Sequence, residues 1–534
     1  MPKSVSRNWV RFFEKKTNEV VEKLLPNTYK PQRVRANKVF RDALWGFSLY
    51  YPHEISIIDS PLFQRLRGIQ QTSLAQYTYP SATHTRFQHS LGATALVEKV
   101  LTSLQKRQVE CGGAQIENTQ WVEARLAALL HDIGHGPFSH GSEEYFKRHP
   151  AFKALEDQRK LFKERAASEI LTYFIVKSRA FKRFWKKITL LYPEKNLHLV
   201  KLEKVARMII GQPPTSQDHY LAQIINGPFD VDKLDYLPRD GYNTGLHLDI
   251  DVDRLLLTVE LWKANPAAPC VSAIDLSGVS ALEQLLFSKM VIFTSVYHHH
   301  KVRSSLHSLF KILDFIIDKK IKIKGVSLAD SGFKDETTGK PYPNPFNFLL
   351  IDDHDILGGY LVSKNTSMAK RLNELIVDLK NRKFLKRALV LSLGVLEEDG
   401  SESEFAHIQD PRNRHIVQQI RQEIASASGQ PINDIIIDIP SAPRFEAMAK
   451  EARIKLSEKR CVELEAAFPT RGWVTGYAAF KNRVYIFCPE DVKGRVGHHA
   501  VDVLKQHGIS VKPEALEHAK QDIKIIKGKF PDLP

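Results

Sequence analysis

The stretch Leu129-Leu130-His131-Asp132-Ile133-Gly134-His135-Gly136-Pro137-Phe138-Ser139-His140 decides how this chain is read. The apolar, Ala/Leu-rich run from Val122 to Leu130 predicts a helix, and it stops at two adjacent metal-type ligands. A helix ending in His-Asp sets an imidazole beside a carboxylate. The Gly/Pro-broken loop that follows carries His135 and His140. Its glycines are expected to let the backbone crowd close to a bound ion or phosphate.

Working outward, two more segments share this character. Upstream lies His84-Thr85-Arg86-Phe87-Gln88-His89-Ser90-Leu91-Gly92, and downstream Phe229-Asp230-Val231-Asp232-Lys233-Leu234-Asp235-Tyr236. Each places ligand-type residues beside apolar helical stretches, where polar groups without partners are costly to bury. His89 alone would more often be a satisfied core histidine. Taken with His131, Asp132 and Asp232 it makes a mixed N/O set for one divalent metal. Imidazole plus carboxylate suits Mn, Fe, Co, Ni or Zn, with Mg also admissible. Four protein ligands leave two octahedral positions, enough to polarise a phosphate and lower the pKa of a water. The expected class is a metal-dependent phosphohydrolase.

The composition is compatible with that class without deciding it. The 534 residues are 43% hydrophobic and 26% charged, with a net charge of +16. No apolar run is expected to approach the ~18 residues that span a bilayer, and the basic N-terminus lacks the apolar core of a secretory signal. Cys111, Cys270, Cys461 and Cys488 show no CxxC spacing, which argues against a disulfide framework or zinc ribbon. The expected compartment is the cytoplasm, with no membrane partner. Eleven Lys/Arg against four Asp/Glu in residues 1–43, and the Lys177–Lys187 cluster, would attract polyanions. Such runs are more often solvated helix faces, so nucleic acid is a candidate partner only.

The pattern predicts a mainly α protein, with a helical core and a smaller C-terminal α/β lobe. Residues 1–36 read as a basic helical extension and 39–51 as a short hairpin. Helical periodicity dominates from about Ser60 to Ile321, with Asp59 or Ser60 capping a helix that starts at Pro61. The divisions expected are 1–36, a catalytic domain at 37–325, a linker or insertion at 326–365, and the lobe at 366–534. In that lobe 388–393, 435–439 and 484–487 read as strands and 416–426 as a helix.

With Ile57-Ile58-Asp59-Ser60-Pro61-Leu62-Phe63-Gln64-Arg65-Leu66-Arg67 added, residues 37–310 resemble the HD-domain deoxynucleoside triphosphate triphosphohydrolases. That resemblance implies hydrolysis of a dNTP to deoxynucleoside and inorganic triphosphate, with Mg accompanying the substrate phosphates. It implies His89, His131, Asp132 and Asp232 as metal ligands, and His140 with Glu143 as the proton-transfer pair. It further implies phosphate contacts from Arg86, His135, Lys233 and Lys289, and sugar contacts from Gln71, Tyr236, Asp240 and Tyr297. Lys163-Glu164 stands where the family's vertebrate branch has His-Glu, which implies a phosphate contact from Lys163 and a catalytic role for Glu164, although a lysine does not relay protons like an imidazole near neutral pH. Thr72 replaces a leucine of that branch.

Lys38, Val39, Asp59, Gln64 and Arg67 match an activating guanine-nucleotide site of the same branch, with Arg41 replacing an asparagine. The plainer reading is that Asp59 caps a helix and Gln64 and Arg67 form its polar face. The resemblance also implies a homo-oligomer, tetramer or hexamer. Nucleotide-pool control and antiviral dNTP depletion both fit this activity. Two other functions suit the same residues: an HD-type nuclease on single strands, and a non-catalytic nucleotide sensor.

Overall fold

The computed structural model describes residues 8–518 except 111–114, 214, 266, 337, 359–366, 398–399, 441–449, 458, 469–471, 473–475, 478–480 and 482. Cys111 therefore lies outside the described residues. The chain is mainly α and divides into two compact units: Met1–Ile292 with Phe310–Ile376 and Ala447–Pro469, and Phe293–Leu309 with Val377–Glu446 and Thr470–Pro534.

The first unit is built around the helix Asn118–Leu130, which starts from a Glu117/Gln120 capping box. Every residue from Val122 to Leu130 is buried, so the run that ends in His131 is an interior element. Its one buried cation, Arg125, is held by both oxygens of Glu54 at 2.7 Å and by Glu98 at 2.9 Å. Against it lie the long helix Arg86–Glu110 and the helix Leu202–Ile209. The helix Val231–Thr244 packs on Arg86–Glu110. Asp230 caps it by accepting the Lys233 N–H, and Gly245 closes it at φ +73°, a left-handed conformation suited to glycine.

Several segments that look peripheral in sequence are packed. The basic helix Trp9–Leu24 buries Phe13, Thr17, Val20 and Val21, and Phe13 meets Phe152, Phe174 and Phe346 with ring centroids 5.0–5.3 Å apart. Residues 326–358 carry the strands Val326–Ser327, Ala329–Lys334 and Pro341–Pro343, then Asn347–Leu350 and the helix Asp353–Leu357, with Phe346, Phe348 and Leu349 in the core. The strand Arg453–Ser457 runs parallel to Val271–Asp275, extending a sheet completed by Val259–Trp262 and Arg460–Glu463.

Leu276–Tyr297, 22 residues, is long and apolar enough to cross a membrane by length and composition, which corrects the expectation that no run approaches a membrane span. Its Ala281, Leu282, Leu285, Leu286 and Met290 are core residues, which explains the apolar content without a bilayer. Pro61 does open a helix, at its first position, but Asp59 does not cap it. Ser60 occupies the cap without a side-chain bond, and Asp59 terminates the preceding helix Pro52–Ile58.

In the second unit, Lys386–Leu391, Ile436–Asp438 and Val484–Cys488 form an antiparallel sheet with Val484–Cys488 in the middle. The helices Arg414–Ala427 and Lys493–Gln506 pack together beside it. Arg303 and His307 converge on the buried Asp438 at 2.6–2.8 Å.

Candidate active site

Three helices deliver the ligand-type side chains: Arg86–Glu110 carries His89, Asn118–Leu130 ends at His131, and Val231–Thr244 carries Asp232 in its first turn. His89 Nε2 lies 3.1 Å from His131 Nε2 and 3.0 Å from Asp232 Oδ1, and His131 Nε2 is 3.7 Å from that oxygen. Asp132 stands alongside, with Oδ2 3.5 Å from His89 Nε2 and Oδ1 3.4 Å from His131 Nε2. Asp232, 39% exposed at its side chain, marks the open side of the cluster.

The other face of each imidazole fixes what Nε2 does. His89 Nδ1 donates to Asp235 at 2.7 Å, and His131 Nδ1 donates to the Ala128 carbonyl at 2.7 Å. In the neutral rings both Nε2 lone pairs then point into one space, 3.1 Å apart, with carboxylate oxygens on their flanks. That arrangement of electron pairs is stabilised by a metal ion or, without one, by a proton, which the surrounding carboxylates favour on His89. Separations of 3.0–3.7 Å also match adjacent ligands around a centre at ~2.0–2.2 Å. The residues fit a divalent metal.

Asp235 is the functional residue that motif reading missed. It is fully buried and receives His89 Nδ1, the Trp45 indole at 2.5 Å, and Arg239 Nε and Nη2 at 2.8 Å. Burial alone would raise its carboxyl, but Arg239 and His89 outweigh it and hold the group at about 2. Arg239 Nη2 reaches on to Asp42 at 2.9 Å. Such outer partners fix the tautomer and orientation of a ligating histidine. Asp235 follows Asp232 by three residues and precedes Arg239 by four, a helical spacing that would have revealed it.

At Gly92 a Cβ would collide with Asp235 and Arg239, at Gly134 with Ser168 and Thr172, and at Gly136 with Ser142 and Phe146, so close packing of protein on protein requires these glycines.

Beside the cluster lies a second set of polar groups. Arg86 is buried, with Nη1 2.6 Å from Asp132 Oδ2 and Nε 2.9 Å from Ser139 Oγ, while its Nη2 has no protein partner. His135 Nδ1 and Gln71 Oε1 are likewise buried without protein partners. Burial and the Arg86 charge push His135 down to about 4, so it is neutral at pH 7. His140 begins the helix His140–Arg148 and is 75% exposed at its side chain. Its Nδ1 lies 2.9 Å from Glu143 Oε2, and Glu143 Oε1 is held by Ser168 Oγ at 2.9 Å. Burial would raise Glu143, yet the His140 bond keeps it well below the carboxylate range. The rings of His135 and His140 meet edge to face at 5.4 Å.

The remaining expected residues are placed less simply. Lys233 bonds Asp230 at 2.5 Å and the Gly227 carbonyl at 2.8 Å. Asp240 is buried against His84 Nε2 at 2.7 Å. Tyr236 is half-buried, and burial, with Asp232 and Asp230 nearby, holds its phenol well above the usual range. Lys289 is buried, and desolvation together with the Lys233 charge lowers it to about 8. Tyr297 belongs to the second unit, at the end of the π-helical turn Phe293–Tyr297. Lys163 and Glu164 are exposed on a non-helical turn, Glu164 at φ +62°.

Lys38, Val39, Asp59, Gln64 and Arg67 are surface or partly exposed residues of the first unit. Lys38 Nζ is 3.8 Å from Asp59 Oδ2. Arg67 Nε donates to Gln64 Oε1 at 2.8 Å, and its guanidinium lies 3.6 Å above the Phe87 ring.

Residues 86–237 match the HD domain, and residues 337–512 match the HD associated region. The chain is an HD-domain protein, as the His-Asp motif and its flanking helices indicate. It is similar to the deoxynucleoside triphosphate triphosphohydrolase SAMHD1 of Xenopus laevis, 28% identical over 310 residues, 54% of this chain and 47% of that one. The Mus musculus SAMHD1 is 32% identical over 237 residues, 42% of this chain and 34% of its own length. An uncharacterized protein of Methanocaldococcus jannaschii is 30% identical over 295 residues, 55% and 53% of the two chains. In each case the chain spans about half the relative's length or less.

Proposed function

We propose that this protein is a metal-dependent dNTP triphosphohydrolase, converting a dNTP and water to deoxynucleoside and inorganic triphosphate. The observation that carries this reading is the buried set Arg86 Nη2, His135 Nδ1 and Gln71 Oε1, unmatched by protein beside a cluster fit for a divalent metal. A buried polar group needs a partner, and beside a metal-type cluster a polar ligand can supply it. The likeness to SAMHD1 supports a dNTP as that ligand.

His89, His131, Asp132 and Asp232 would hold the metal, Mn, Fe, Co, Ni, Zn or Mg, with Mg on the substrate phosphates. When bound, it supplies Lewis-acid polarisation of the phosphorus and a lowered pKa for water. Arg86 gives Nε to Ser139 and Nη1 to Asp132, and its remaining nitrogen, Nη2, would take a phosphate oxygen. Lys233 and Lys289 add positive charge for the remaining phosphates. His140, with Nδ1 tied to Glu143, offers Nε2 for proton transfer to the departing 5′-oxygen. Gln71, Tyr236 and Asp240 would read the sugar. Lys163 and Glu164 are not needed in this scheme. We place the protein in the cytoplasm as a homo-oligomer, activated by a nucleotide at Lys38, Val39, Asp59, Gln64 and Arg67.

Purified protein with Mn²⁺ is incubated with each dNTP, singly and mixed, and the products are separated by ion-exchange chromatography. Deoxynucleoside and triphosphate in equal amounts are expected. Degradation of single-stranded DNA with intact dNTPs would replace the reading by a nuclease. Binding of dNTPs without turnover would make the protein a sensor.

A further inference from the structure

The backbone around Arg86 and His140 depends on a residue far outside the HD domain. Phe138 and Ser139, the two residues before His140, sit at φ +57° and +52°. This left-handed region is unfavourable for side chains such as these, so neighbouring structure must hold it. Asp353 provides that hold. Its Oδ1 accepts the Phe138 N–H at 2.6 Å, and its Oδ2 accepts the Gln70 N–H at 2.9 Å. One carboxylate thus ties together two loops on either side of Arg86.

The tie extends into the site. Ser139 Oγ donates to the Gln70 carbonyl at 2.5 Å and accepts from Arg86 Nε at 2.9 Å. Arg86 in turn pairs with Asp132. Asp353 is itself fixed. It is 5% exposed and opens the helix Asp353–Leu357. Asp352 and Asp355 form a reciprocal capping box on that helix, with bonds of 3.0 and 3.1 Å. Upstream, Phe348 packs against Phe146 and Tyr145, with ring centroids 5.5 and 6.3 Å apart. Burial, with the Asp352 charge nearby, pushes the Asp353 carboxyl up to about 7 although the two amides and the Arg86 charge favour its anion.

We propose that Asp353 is a positioning residue for hydrolysis, a two-pronged clamp by which the region after the HD domain sets the Arg86 guanidinium and the His140 loop. Its effect on turnover rests on the hydrolase reading above; its effect on the loops does not. In Asp353→Asn the Oδ1 still accepts one N–H, but the amide NH₂ confronts the other donor, so one loop is released.

The test combines single-residue amide exchange with kinetics on the full chain. In the wild type the Phe138 and Gln70 amides are expected to exchange at least about 10²-fold more slowly than free amides; exchange at the free rate would overturn the clamp without any variant. Asp353→Asn should raise exchange in residues 68–72 and 134–142 and leave the helix Trp9–Leu24 unchanged. Its kcat should fall about 10–100-fold, the scale of a 1 Å misplacement, with one metal per chain retained and KM changed less than kcat. Faster exchange with wild-type kcat would overturn the positioning role. A wild type that hydrolyses no dNTP would defeat the hydrolase reading, while the exchange data would still decide whether Asp353 clamps the loops.

Discussion

The metal cleft and the Lys38–Asp59 corner use the same kinds of side chain in opposite ways. In the cleft three of the four proposed ligands have a second partner: His89 is held by Asp235, His131 by Ala128, Asp132 by Arg86, while Asp232 stands on the open side. Rotating any of those three therefore means breaking a buried bond. At the corner, Lys38 and Asp59 are 48% and 55% exposed and 3.8 Å apart, a pair worth little to stability. The first arrangement suits a preset reaction centre, the second a surface that a ligand can rearrange. The hairpin joins them. Lys38 starts its first strand and Asp42 ends it, and Asp42 bonds Arg239, which holds Asp235 and so His89.

The contrast is broken most severely by removing a ligand. Asp232→Ala should lose both turnover and bound metal, measured by atomic emission, while its circular dichroism stays helical. His140→Ala should lose about 10²–10⁴-fold in turnover, the usual range for general acid–base groups, but keep its metal. If both variants kept or both lost the metal, the division between ligands and proton-transfer pair would be wrong.

Next in size is the outer partner. Asp235→Asn keeps the shape but weakens the charge that orients His89, so metal affinity should fall about 10–100-fold. Titration with Mn²⁺ checks this, and an unchanged affinity would show that His89 needs no such partner.

A smaller effect concerns pH. Lys289 is depressed to about 8, so it is charged below that pH and neutral above it. As a phosphate contact it should make kcat/KM fall as pH rises through about 8, since kcat/KM reports groups of the free enzyme. Lys289→Arg should remove that limb of the profile.

The smallest effect on the fold should come from the corner. Asp59→Ala is expected to change stability by no more than about 0.5 kcal/mol, as for most surface substitutions, and to leave the metal bound. It should nevertheless abolish stimulation of turnover by a second nucleotide. Stimulation that survives in Asp59→Ala would reduce the corner to an ion pair on the surface.

These regions also differ in how far sequence reveals them. The ligand-type residues were legible because a metal needs His and Asp next to one another, and the apolar helices that carry them have a clear period. The three strands near 388, 436 and 485 were legible for the same reason of pattern. Asp235 was overlooked although it lies in a quoted motif, because its role appears only once Asp232, Asp235 and Arg239 are set on a helix. The cap before Pro61 stayed open between Asp59 and Ser60 because either residue type suits it, and the backbone gives it to Ser60. Phe13, Thr17, Val20 and Val21 have core spacing, but the surrounding lysines draw attention from it. Asp353 was hidden by distance: it acts on a loop 215 residues earlier, and no local pattern encodes such a contact.

The central claim is that this site cleaves the bond between the α-phosphorus and the 5′-oxygen of a dNTP. Hydrolysis in H₂¹⁸O, with the products resolved by mass spectrometry, tests it most directly. The account predicts one ¹⁸O in the inorganic triphosphate and none in the deoxynucleoside. Label in the deoxynucleoside, or in a deoxynucleoside monophosphate released with pyrophosphate, would contradict it.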